Sequence, residues 1–149
     1  MANSQAIGVA YEDQNIIGAE RILTDRELGY TANAQGTVTQ ATSKSTAVTL
    51  NKSAGRITLN AASLAATTNV SFTFNNSLIS TNDVLILNVA AGATAASYNL
   101  WVDSLNAGSA SITLRNTTAG ALAEAVLLAL RCVTPLPVRW RKRWSLTLR

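Results

Sequence analysis

The side chains able to do chemistry are few and poorly placed for it. Downstream of residue 35 the carboxylates are Asp83, Asp103 and Glu124, each about twenty residues from the next. No such spacing predictably brings two of them together as an acid and a base. The chain contains no histidine, which excludes histidine-dependent triads, histidine general bases and histidine metal ligands. Cys132 stands alone, so neither an intrachain disulfide nor a cysteine zinc site can form, and a small apolar residue on the last strand is its expected role. No catalytic, cofactor-binding or metal-binding residue is assigned, and the chain reads as a non-enzyme.

The residues that do stand out are cationic and aromatic. "PVRWRKRWSLTLR", residues 137 to 149, holds five cations and two tryptophans. Residues 1 to 130 carry six Lys/Arg against eight acids, a net of −2, and residues 131 to 149 carry six Lys/Arg and no acid, a net of +6. The overall charge of +4 therefore belongs to the tail, and the body is not a basic nucleic-acid reader.

Three uses compete for that tail. Arginines on phosphates with Trp140 and Trp144 stacked on bases would grip a single strand, but thirteen residues form no groove. A lipid interface would be held weakly without a long amphipathic helix. An extended arm docked on a neighbouring protein uses the planar arginine forks on partner carboxylates and the rings as anchors. The arm is the preferred reading, with no nucleic acid and no membrane as partners. Its candidate contact residues are Arg139, Trp140, Arg141, Lys142, Arg143 and Trp144.

The elements that must carry such an arm are legible as strands. Only 13% of residues are charged, and the Thr, Ser, Asn, Val and Ala content favours short half-buried strands. Residues 1 to 35 read as an N-terminal arm, 36 to 133 as a β-sandwich domain, and 134 to 149 as a basic C-terminal arm. Alternation places strands at about 37 to 41 and 46 to 51, then at "GRITLN", "NVSFTFN", "DVLILNVAAG", "YNLWVDSLN" and "SITLRN". In "NVSFTFN", Val70, Phe72 and Phe74 share the core face. "DVLILNVAAG" loads both faces, as expected of a central strand, with one side available to a subunit neighbour. "YNLWVDSLN" turns Trp101 and Asp103 outward, and "NAGS" at 106 to 109 supplies a glycine for φ > 0 in a turn. "AEAVLLALRCV" is predicted as the eighth strand, although its Ala, Leu and Glu content also suits a helix. It is too short, and too interrupted by Glu124 and Arg131, to span a bilayer. The start, "MANSQAIGVAYEDQ", lacks the basic flank and apolar run of a signal peptide, so use without secretion is expected. Eight short strands at regular spacing predict an all-β fold, a β-sandwich with jelly-roll-like topology as the leading choice.

The stretch from "GTVTQATSKST" through "VTLN" and the ending "ITLRNTTAGALAEAV" resemble a family of head decoration, or cement, proteins of tailed bacteriophages. The resemblance covers residues 36 to about 128, and similar sequences occur in fibres and other virion modules. It implies a structural virion protein: a β-sandwich, assembled as a homotrimer, on the outer surface of the capsid, clamping neighbouring copies of the major capsid protein. Chains of that kind usually stop soon after "EAV", whereas this one continues through residues 127 to 149. A receptor- or glycan-binding module of a phage fibre or tail is the alternative, with exposed Trp101 or Tyr98 stacking on sugar rings.

Overall fold

The computed structural model describes residues 29–133. A 3-10 turn at Ala32–Ala34 leads into eight strands: β1 (Gln35–Thr39), β2 (Val48–Thr49), β3 (Ala54–Thr58), β4 (Asn69–Asn75), β5 (Val84–Ala91), β6 (Tyr98–Asn106), β7 (Ser109–Asn116) and β8 (Leu127–Val133). They form two four-stranded sheets, ordered β1-β3-β8-β5 and β2-β4-β7-β6. The sheets pack on one another over a shared core, giving an all-β sandwich.

Alternation dictates which side chains fill that core. In β4, Phe72 and Phe74 are buried while Ser71 and Thr73 are exposed, and the paired strand β7 contributes Ile112 and Leu114. The other sheet supplies Ile57, Leu85, Leu128, Leu130 and Cys132 to the same cluster. Each fully buried Leu, Ile or Phe contributes about 1.5–3 kcal/mol from area removed from water. That cluster offsets the cost of ordering a chain with few charges and two phenylalanines.

The segment "AEAVLLALRCV" is a strand over Leu127–Val133, between β3 and β5 and antiparallel to both. Its helical propensity loses because Leu128, Leu130 and Cys132, two apart, point into the core, while both strand edges find ladder partners. The turn in "NAGS" forms as expected, with Gly108 at φ +80° between the register partners Asn106 and Ser109.

Several expectations change. β5 is an edge strand rather than a central one; Leu85 faces the core, but Val84 and Ile86 on the other side are 53% and 52% exposed. The strand expected at 46 to 51 contributes only Val48–Thr49, because the Lys52 amide donates to the Leu50 carbonyl and turns the chain. The first strand ends at Thr39, where the buried Gln40 side chain turns away to donate to the carbonyls of Lys44 and Thr46. Jelly-roll connectivity is not established: β1/β3 and β2/β4 are parallel pairs, unlike the antiparallel ladders of that topology. The parallel β1/β3 pair is close because Gly36 and Gly55 face each other in register. A Cβ on Gly55 would sit 2.5 Å from the Gly36 carbonyl oxygen and 2.6 Å from a Leu50 methyl.

Candidate functional site

The two sheets present outer faces of opposite chemistry. On the β1-β3-β8-β5 sheet the outward register rows pair Val84 with Val133, Ile86 with Arg131, Asn88 with Ala129, and Arg131 with Ala54. Val133 is 41% exposed, so this face shows apolar side chains to solvent beside the arginines Arg56 and Arg131. A groove of about 660 Å³ runs across it, lined among others by Tyr30, Gln35, Thr37, Arg56, Asn88 and Arg131.

Residues 30 to 34 are pinned along this groove. The Tyr30 hydroxyl donates to the Cys132 carbonyl at 2.9 Å, the Gln35 amide donates to the Tyr30 carbonyl at 2.8 Å, and Lys52 Nζ donates to the Asn33 carbonyl at 2.7 Å. The Arg131 guanidinium lies 5.7 Å from the Tyr30 ring centroid, within cation–π range. Hence the chain enters the described fold at Gly29 and leaves it at Val133 from one end of the sandwich. Exposed Leu78, from the β4–β5 connection, and Val84 lie at that same end.

The outer face of the β2-β4-β7-β6 sheet is a field of hydroxyls and amides around one ring. Trp101 is exposed, and its Nε1–H donates to Asp103 Oδ1 at 2.6 Å. The Thr113 hydroxyl donates to Asp103 Oδ2, as does Ser111 Oγ at 3.4 Å. Since the single Thr113 proton is used there, Ser71 is the donor in its 2.6 Å contact with Thr113. Asp103 sits where the β6/β7 register shifts between Val102 and Ser104, a bulge that re-aims the side chain. Hydrogen bonds to the carboxylate, Thr113 first and then Trp101 and Ser111, hold Asp103 below the usual carboxylate range against its partial desolvation.

The remaining ionisable groups brace the ends. Asp83, buried at the start of β5, accepts from the Ser80 amide and hydroxyl at 2.8 and 2.9 Å and from Cys132 Sγ at 3.4 Å. Burial, then Asp83, pushes the Cys132 thiol up to about 11, so it stays a protonated core group instead of a nucleophile at neutral pH. At the opposite end Lys44 is buried, and Nζ donates to the carbonyls of Asn60 and Glu124 at 2.5 and 2.6 Å. Burial lowers the Lys44 pKa, opposed by the Glu124 charge. Glu124 itself is held low, first by the Thr94 hydroxyl and amide. The Tyr98 hydroxyl is buried without a well-formed hydrogen bond, and burial followed by Glu124 raises its pKa to about 12.

Of the residues expected to matter, Arg139, Trp140, Arg141, Lys142, Arg143 and Trp144 lie outside the described residues, as do most of the two proposed arms. Trp101 is outward and Cys132 is on the last strand, as expected. Asp83 and Asp103 line one shallow cleft between β5 and β6, but each carboxylate is taken up by donors of its own sheet edge, while Glu124 stands at the far end. Among the described residues no group of three or more His, Cys, Asp or Glu could hold a metal ion, and no helix is long and apolar enough to cross a membrane. Sequence reading missed Tyr30, Arg56 and Arg131 as neighbours. Only the apolar residues on both faces of β5 pointed to that surface. No protein-family model, curated protein or solved structure matches the chain.

Proposed function

We propose that the protein is a capsid decoration protein: a non-enzymatic structural component that binds the outer surface of a phage head and stabilises the lattice of its major capsid protein. The observation that carries this reading is the convergence of the two ends of the described segment, at Gly29 and Val133, with the exposed apolar residues of β5 and β8 on one end and face of the sandwich. A face of that kind is half of an interface. The likeness of residues 36 to 128 to decoration proteins supports the same reading. In it, a homotrimer applies three such faces, and the segments 1–28 and 134–149 reach adjacent capsid subunits. Many modest contacts spread over several subunits then act as one tight attachment.

The test is stoichiometry on purified virions. A decoration protein is present in copy numbers on the scale of the lattice, a fibre module in a handful. Removing residues 134 to 149 lowers occupancy on heads in a salt-sensitive way, most strongly at low salt, where the ionic contacts of the tail are least screened; undiminished occupancy contradicts the arm.

A second reading, a receptor- or glycan-binding module of a fibre or tail, is favoured by the Trp101 platform, because an indole fixed through Nε1 to Asp103 presents a ring face for stacking. In that case Trp101→Ala abolishes binding to host-cell glycans while leaving head occupancy at background.

A further inference from the structure

We infer that the groove across the β1-β3-β8-β5 sheet is a docking site for an extended, carboxylate-bearing segment of a partner protein. This deepens the decoration reading, on which it rests only for the partner being the capsid protein. Two arginines, Arg56 and Arg131, line the groove, and among the described residues no acid does. Among the described residues the Arg56 guanidinium has no hydrogen bond or ion pair, and the Arg131 guanidinium rests over the Tyr30 ring. Both forks are therefore open to a carboxylate.

Register sets their spacing. Arg131 pairs with Ala54 and Arg56 with Ala129, so the two arginines are diagonal neighbours on adjacent strands, about 7–8 Å apart at the backbone. Residues i and i+2 of an extended chain are about 6.6 Å apart. A segment with acids at alternate positions thus meets both guanidinia at once. Its intervening residues lie over Ala54, Ala129 and Ile86, and the amides of Gln35 and Asn88 are within the same groove for its backbone. Nucleic acid fits less well: two cations over an aliphatic floor neutralise few phosphates, and Tyr30, the one ring among the described lining residues, is already covered by Arg131.

The experiment uses the isolated full-length chain and a ten-residue peptide of alternating threonine and glutamate, followed by fluorescence anisotropy at low and high salt. The expected result is binding at least tenfold tighter than for the same peptide with glutamine in place of glutamate, weakened by salt, and lost in the Arg56→Gln/Arg131→Gln double variant with its thermal melt unchanged. Equal affinity for the two peptides, or none, overturns the inference. So does a thymidine oligonucleotide that displaces the peptide and depends on the same arginines. A full-length variant carrying E12Q, D13N, E20Q, D25N and E27Q separates one further occupant: if it binds the glutamate peptide tenfold tighter than the parent chain, the groove belongs to the chain's own first residues, and the inference fails. No phage head enters these measurements. A chain that binds the peptide but is absent from virions refutes the decoration reading alone, and full head occupancy without peptide binding refutes the groove alone.

Discussion

The outer faces of the two sheets share a core and differ in what they leave unfinished. On the β2-β4-β7-β6 sheet the outward polar groups around Trp101 satisfy one another: ring to carboxylate, carboxylate to hydroxyl, hydroxyl to hydroxyl. On the β1-β3-β8-β5 sheet Val84 and Ile86 remain half exposed on an edge strand, Arg56 has no carboxylate partner among the described residues, and the described segment begins and ends nearby. A closed polar network needs only water. An apolar edge flanked by cations is the surface whose stability and solubility improve when another chain covers it.

Substitutions separate what the shared core does from what each face does. The largest effect is expected where the faces meet. Phe74→Ala, at a residue with no exposed surface, should cost about 3–5 kcal/mol and lower the melting of both sheets together in urea denaturation. Two separate transitions would show that the faces do not depend on one core. Gly55→Ala strikes the apolar-faced sheet alone, since its methyl meets the Gly36 carbonyl and Leu50. A cost of about 1–3 kcal/mol from overpacking is expected in the same assay, with loss of glutamate-peptide binding as β1 shifts.

The pH response is smaller, and its sign follows the type of group. Asp103 and Glu124 have folded-state pKa values below their ordinary ones. Their contribution is present above the unfolded carboxylate pKa and is lost as pH falls through the folded value, so Asp103→Asn should flatten the acid limb of a stability–pH curve. Cys132 and Tyr98 are raised, to about 11 and about 12. Their contribution is complete below the ordinary pKa values of 9.0 and 10.0 and is lost as pH rises to those raised values; Cys132→Ala should flatten the earlier part of that alkaline fall. The smallest effect on the isolated chain is expected from Val84→Ser with Ile86→Ser. Their exposure predicts a change within about 0.5 kcal/mol each, yet occupancy on heads should drop. A large loss of stability instead would mean that these side chains serve the fold.

How much of this was readable from sequence depends on the range of the interactions. Strands β4, β6 and β7 were legible because period-two alternation is local: Phe72 and Phe74 sort from Ser71 and Thr73 without reference to any partner. The outward Trp101 and the Gly108 turn follow from the same logic. Strand order is not local, and β5 shows the consequence, since apolar residues on both faces describe a strand covered twice whether the second cover is its own chain or another. The parallel β1/β3 pairing depends on Gly36 and Gly55 meeting across eighteen residues of intervening sequence, and nothing in either neighbourhood announces it. The groove was invisible for the same reason, because Tyr30, Arg56 and Arg131 come from three distant segments.

Hydroxyl-radical footprinting, read by mass spectrometry, on the 149-residue chain free and mixed with heads of the phage proposed to carry it, tests the decoration reading most sharply. Protection on binding is predicted at Val84, Ile86 and Val133, with Trp101 oxidised equally in both states. Protection of Trp101 with Val84 and Ile86 unchanged, or a chain that does not bind heads at all, would contradict it.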